Sequence, residues 1–249
     1  MQSGFLIWVA AFAAIIFVSP AIIAYVMIWM SRHPRSFSPE TLHTQGMPLD
    51  MFAPVYDRYC PIIGLGRAFR QATIRHAGLK EGEGVLDIGC GTGVLTRLAA
   101  LTVGPQGEVI GIDPAARMIA EAKKNALAQG SRAQFRLAVA ENLPVEGNRV
   151  DCVLSSAMLH HLPPDLKVKV LSEAYRVLKP GGRFVLVDVD RPANPLWWVL
   201  LWPLKFWPFT KDQIEGKLGD LISRGGFSNV RKVGAWGGFL GFWKAHKSV

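Results

Sequence analysis

The sequence predicts an α/β protein, a doubly wound and mostly parallel sheet flanked by helices and preceded by an N-terminal transmembrane helix. Three observations predict it. The stretch Val85-Leu86-Asp87-Ile88-Gly89-Cys90-Gly91-Thr92-Gly93 is an apolar run followed by alternating glycines, a buried strand entering a tight turn that opens a helix. Glu108 to Asp113 repeats the pattern of an apolar run ending in an acid, as a second buried strand would. Gly4 to Met30 contains no charged residue, and only Ser19, Pro20 and Tyr25 interrupt it.

As a helix that apolar segment would span roughly 40 Å, enough to cross a hydrocarbon core of about 30 Å with tilt. Trp8 and Trp29 sit near its ends, where interfacial aromatics are favoured. No basic residue precedes it, which argues against a cleaved signal peptide. A re-entrant hairpin kinked at Pro20 is the alternative to a single crossing. Arg32, His33 and Arg35 follow at once, so the positive-inside tendency places the body in the cytoplasm. Half of the residues are hydrophobic and the net charge is +9, which suits an anionic membrane surface or nucleic acid. No basic motif interleaved with aromatics is present, so no nucleic-acid partner is expected. The three cysteines Cys60, Cys90 and Cys152 are odd in number and widely spaced, which fits a reduced compartment. They form no C-x-x-C pair, and no metal site is expected.

Residues 31–50 carry Pro34, Pro39, Gly46 and Pro48 among polar residues and read as a linker. Residues 51–80 read as a helical cap, with a helical pattern from about Gly64 to His76. The glycine turn comes next. Its glycines adopt dihedrals closed to other residues and let a ligand approach the main chain, and the free N–H groups at the helix start favour an electron-rich ligand. A dinucleotide fingerprint would need glycine at position 94, where Val94 stands.

Asp113 lies 20 residues beyond Gly93, at the end of the second strand. An acid there is placed to accept ribose hydroxyls, or to cap the helix that starts near Pro114 and runs to about Gln129. A third strand is expected near Gln134 to Val139, and a fourth over Val150 to Ser155. The loop Ser156-Ala157-Met158-Leu159-His160-His161-Leu162 then faces the crevice that opens where strand order reverses. His160 or His161 is a candidate general base, since an imidazole pKa near 6.5 suits proton removal at neutral pH. The alternative is a histidine that only hydrogen-bonds the loop.

Pro163-Pro164-Asp165 opens the next helix, and Lys179-Pro180-Gly181-Gly182 reverses the chain into a fifth strand over Phe184 to Val189. Residues 194–209 hold Trp197, Trp198, Trp202 and Trp207, half of the chain's 8 tryptophans, with Lys205 as their one charge. Such a segment reads as a membrane-facing aromatic flap or as a buried lid over the site. A helix near Lys211 to Arg224 and a hairpin of two strands complete the chain.

The G-x-G-x-G turn after Asp87, the acid Asp113, Arg176-Val177-Leu178-Lys179-Pro180-Gly181-Gly182 and the terminal hairpin, in that order, resemble the class I S-adenosylmethionine (SAM) methyltransferases. With Phe52 and Tyr56-Asp57 before the fold, the resemblance is to the ubiquinone/menaquinone-biosynthesis branch, the type 11 domain, and covers residues 51–249. It implies a seven-stranded, Rossmann-like SAM methyltransferase fold and in-line methyl transfer. It implies cofactor contacts from Asp87, Gly89, Cys90, Gly91, Gly93, Asp113, Pro114, Ala140, Glu141 and Ser156, with Tyr56 over the methionine end. Relatives carry an aspartate for the adenine amine where this chain has Val139, so adenine recognition falls to the Ala140 backbone and Glu141. No Asn/Asp-Pro-Pro-Tyr motif is present, which argues against methylation of DNA bases. Anchor and flap together imply a lipophilic acceptor at the membrane: a quinone precursor, a phospholipid amine or a lipophilic thiol. The reading from another class is a non-catalytic SAM-binding scaffold.

Overall fold

The computed structural model describes residues 39–47 and 49–249. The apolar segment 4–30 lies outside the described residues, as do residues 31–38 and 48 of the stretch read as a linker. Among the described residues no helix is long and apolar enough to cross a membrane.

Two cap helices, α1 (Tyr56–Ile62) and α2 (Arg67–Ala77), precede β1 (Gly84–Ile88) and α3 (Val94–Val103). β2 (Glu108–Asp113), α4 (Ala116–Ala128), β3 (Gln134–Leu137), β4 (Val150–Ser156) and α5 (Pro164–Val177) follow. β5 (Leu178–Val189) leads to α6 (Pro195–Leu201), α7 (Lys211–Ile214) and α8 (Leu218–Arg224), then to β6 (Ser228–Trp236) and β7 (Leu240–His246). One seven-stranded sheet runs in the order β3-β2-β1-β4-β5-β7-β6, parallel except for β7, which pairs antiparallel with both neighbours.

The central strands are apolar without a break because helices cover both of their faces. Alternate residues still separate. Val85, Cys152, Leu154 and Val185 pack with Leu95, Ala99 and Val103 of α3 on one face. Leu86, Ile88, Val153 and Leu186 pack with Leu166, Val170 and Leu171 of α5 on the other. A third cluster, built on Phe69, Val187, Leu240 and Phe242, carries Trp198, Leu201 and Leu204 of the aromatic segment.

Three boundaries differ from the sequence expectation, each for a local reason. β3 stops at Leu137 because its neighbour β2 ends at Asp113, the last paired residue, which leaves Val139 in the loop. The expected single helix over 211–224 is two, broken where Gly216 turns left-handed at φ 84°. The fifth strand begins earlier, at Leu178, which pairs with Val150 before the ladder shifts and resumes at Arg183 opposite Cys152. The aromatic segment is a short helix capped by Asn194, whose side chain accepts from Trp197 N–H at 3.1 Å, followed by a 3-10 turn over Trp202–Phe206.

Candidate functional site

Strand order reverses between β1 and β4, and the ends of β1, β2 and β4 meet there. Ile88 lies opposite both Ile112 and Ser155. A ligand crevice forms at such a reversal because the connections leave to opposite faces of the sheet. The glycine turn folds over it, with the N–H groups of Gly89 and Cys90 both donating to the Ile112 carbonyl at 2.9 Å. Gly89 and Gly93 are required for two reasons. Both have positive φ (73° and 76°), and a Cβ would stand 2.3 Å from Met158 Cγ at the first and 2.4 Å from the Phe135 ring at the second.

Asp113 organises the floor. Its Oδ2 accepts from Gly91 N–H and its Oδ1 from Ala115 N–H, each at 2.9 Å, so one carboxylate ties the glycine turn to the start of α4. The helix-capping and ligand-facing readings of this acid are geometrically compatible, since each oxygen keeps a further lone pair. Burial pushes its pKa up to about 6 despite those two bonds. Asp87 is likewise raised to about 6 by burial, and its Oδ2 accepts from Thr96 Oγ1 at 2.7 Å.

The cavity at this point holds about 70 Å³ and is lined by Tyr56, Gly89, Gly91, Asp113, Pro114, Ala140, Glu141 and His161 of the expected site residues. The others do not line it. The Asp87 carboxylate is turned to Thr96, and Cys90 is packed beneath Gly111. Gly93 is covered by Phe135, Ser156 Oγ accepts from Arg70 Nη1 at 3.0 Å, and His160 is turned to Asp188. Thr44, Gly46, Met47 and Leu49 close the cavity from outside. Leu42 N–H donates to the Pro114 carbonyl at 3.0 Å, Met47 N–H to the His161 carbonyl at 3.1 Å, and Thr44 Oγ1 to Glu141 Oε1 at 2.7 Å. This part of the 31–50 stretch is therefore a strap across the cavity.

The two histidines are held differently. His160 Nδ1 lies 2.7 Å from Asp188 Oδ1. Asp188 is fully buried and accepts besides from Met158 N–H, Leu159 N–H, Val189 N–H and Gln213 Nε2 at 2.7–3.0 Å. Burial works to raise its pKa, but the charge and hydrogen bond of His160, with the backbone donors, outweigh that and hold it below the ordinary value. Lys167 stands behind, fully buried, donating to Gln213 Oε1 at 2.9 Å and to the Phe209 carbonyl. Burial lowers its pKa to about 8. His161 is half-buried with its Nδ1 buried and unpartnered, and desolvation, then the neighbouring His160, pushes its pKa well down, so it is neutral at pH 7. Burial raises the Tyr56 phenol above its ordinary value.

Arg70, Asp188, Gln213 and Lys167 were not legible as site residues. Asp188 had one signal, an acid inside the apolar run Phe184 to Val189, since a buried acid needs partners. Arg70 had none, because it is one of several arginines on an ordinary helix. It is 7% exposed and, among the described residues, forms no ion pair.

The lining of the cavity and its surroundings carry the groups that bind a nucleoside. They offer an acid at the end of β2 for hydroxyls, glycine backbone for close approach, an unpartnered imidazole nitrogen and a nearby buried cation without a carboxylate. Comparison with known proteins agrees. A family model described as a methyltransferase domain matches residues 85–182. The chain is 38% identical over 173 residues to the demethylmenaquinone methyltransferase of Lactiplantibacillus plantarum, covering 68% of this chain and 70% of that protein. It is 35% identical over 151 residues to the ubiquinone/menaquinone biosynthesis C-methyltransferase of Hahella chejuensis, covering 59% and 60%. Among solved structures, a SAM-dependent methyltransferase from Aquifex aeolicus superposes with a TM-score of 0.58 at 24% identity, over 71% of this chain and 88% of that one.

Proposed function

The chain belongs to the SAM-dependent methyltransferases, and from that premise we propose that it methylates a lipophilic acceptor of the quinone-precursor type at the membrane surface. The enzyme class and the cofactor are those of the family. The observation that carries the finer reading is the aromatic flap. Trp198, Leu201 and Leu204 face the cluster beneath it, while Leu196, Val199, Trp202 and Phe206 are exposed on its other side. Surface helices seldom expose such a stripe unless it meets a lipid surface or an apolar partner. The end of the flap is tied into the site, since Phe209 and Gln213 both bond Lys167 and Gln213 also bonds Asp188. The named relatives that act on quinone precursors support the same acceptor class.

Bound SAM supplies an electrophilic methyl on a sulfonium; the protein supplies alignment and a base. Asp113 accepts the ribose hydroxyls, and Arg70 meets the carboxylate of the amino-acid end. Glu141, held by Thr44, borders the adenine end in place of the acid missing at Val139. Asp188 fixes His160 with its Nδ1 toward the carboxylate, which leaves Nε2 to take a proton from the acceptor, and Tyr56 covers the methionine end. Holding nucleophile, methyl and sulfur in line contributes roughly 7–11 kcal/mol.

The test is to incubate the detergent-solubilised protein with radiolabelled SAM and a membrane lipid extract. Label is expected in a quinone-like fraction. Label in choline-type phospholipid, or in no lipid fraction, would overturn the acceptor class. In that assay His160→Ala is expected to lower turnover by about 10²–10⁴ with SAM affinity held within about twofold, and His161→Ala to lower turnover less. Normal turnover in both variants removes the base from the mechanism.

Arg70→Met is expected to weaken SAM binding by about 10–100-fold, the worth of a charge-assisted hydrogen bond. Decarboxylated SAM should bind wild type and variant alike, and an equal loss for both ligands rejects the assignment. A pH dependence follows from Asp113. Its ionised form accepts the hydroxyls, and its pKa stands at about 6, so a proton competes with the ligand. SAM affinity is full at pH 8 and falls as pH drops through 6, by up to about tenfold per unit below it. Asp87 titrates in the same range but faces Thr96, so Asp113→Asn should flatten the profile; a flat wild-type profile from pH 5 to 8 would sink the idea.

A further inference from the structure

A larger cleft, about 850 Å³, runs along α3 between the cap and the turn after α4. Arg67, Arg97 and Arg132 line it, with Arg70 at its buried end. Asp57 is the one acid among its lining residues, and it is engaged by Thr92 Oγ1 at 2.5 Å. Among the described residues the arginines have only neutral partners. Arg97 donates to Gln129 Oε1 and to the Thr92 carbonyl, and Arg132 to the Pro105 carbonyl. No ion pair balances them. Burial draws the pKa of Arg97 down, against a smaller opposite effect of the nearby Asp57 carboxylate.

Arg97 is half-buried and Arg67 and Arg132 are exposed, so the cleft presents guanidinium groups of like charge that an anion would bring together, and planar guanidinium forks match phosphate oxygens. The cleft is not only cationic. Leu98 and Leu101 lie on its wall, Leu101 is 80% exposed, and Ile62, beside the wall residue Pro61, is 81% exposed. A free phosphate or a nucleic-acid backbone would leave these apolar side chains in water; an acyl chain would cover them. The charge of +9 favours the same partner. We propose that this cleft binds the phosphate headgroup of an anionic phospholipid, with Arg97 and Arg132 on the phosphate and Leu101 and Ile62 against the acyl chains. The cleft meets the methyl-transfer site at Arg70, but Arg67, Arg97, Leu101 and Arg132 do not line the smaller cavity, and the proposal does not depend on which acceptor is methylated.

The test uses the full chain in a non-ionic detergent, titrated by calorimetry with dihexanoyl-phosphatidylglycerol, dihexanoyl-phosphatidylcholine, inorganic phosphate and a short single-stranded RNA. Phosphatidylglycerol is expected to bind at least about tenfold more tightly than each of the others. Arg97→Gln with Arg132→Gln should lose at least about tenfold of that affinity while SAM still binds within about twofold, which reports an intact fold. Arg132 is exposed, so Arg132→Glu alone gives a second variant with little risk to folding, expected to lose binding as well. Equal binding of phosphatidylglycerol and phosphatidylcholine overturns the proposal, as does undiminished binding in Arg132→Glu. Phosphate or RNA binding as tightly as the lipid would assign the cleft to that anion instead.

Discussion

An Asp113→Ala variant is expected to lose SAM affinity by about 100-fold or more in a calorimetric titration, while remaining folded. Two effects add. The carboxylate offers hydrogen bonds to two ribose hydroxyls, and at about 1.5 kcal/mol or more each for a charged acceptor their loss amounts to about 3 kcal/mol, or roughly 100-fold. The same oxygens hold Gly91 N–H and Ala115 N–H, so removal also frees the glycine turn from the start of α4 and reduces the preorganisation of the pocket. Asp113→Asn keeps one acceptor oxygen and should retain part of the affinity, which separates the hydroxyl contacts from the shape of the turn. Unchanged affinity in Asp113→Ala would remove the ribose assignment.

The largest expected effect on stability is at Asp188. Alanine there leaves Met158 N–H, Leu159 N–H, Val189 N–H, Gln213 Nε2 and His160 without their common acceptor. It also removes the carboxylate charge that most favours the protonated form of the buried Lys167. Breaking one partner of a buried charged network costs about 3–5 kcal/mol, which for a chain of this size lowers the melting temperature by roughly 6–20 °C. Asp188→Asn keeps the volume but presents an amide donor to some of those donors, so it should fall between alanine and wild type. A melting temperature within about 2 °C of wild type in Asp188→Ala would show that the network contributes little.

Much of the fold was legible in local pattern. The strands over 85–88, 108–113 and 150–155, the glycine turn and the helix after it rest on spacing within a dozen residues. Where boundaries moved, the cause lay in a neighbour. β3 ended early because β2 had ended beside it, and Val139 thereby entered the loop. The acid Asp113 could be recognised because strand end, acid and helix start are contiguous in the chain.

The partners of the site could not be recognised that way. Ser156 meets Arg70 across 86 residues, Glu141 meets Thr44 across 97, and His160 meets Asp188 across 28. Arg70 reads like its neighbours Arg67 and Arg75 until the sheet buries it. Asp188 reads as an odd acid in a strand until the loop after β4 folds onto β5. What the sequence alone determined about this protein is the ligand turn: which strand ends in glycines, which acid follows it, and so what kind of nucleoside it takes. What only the tertiary structure decided is which cation, which histidine and which strap surround that ligand. The physical reason is the reversal of strand order between β1 and β4, which lays chain segments far apart in sequence against one crevice.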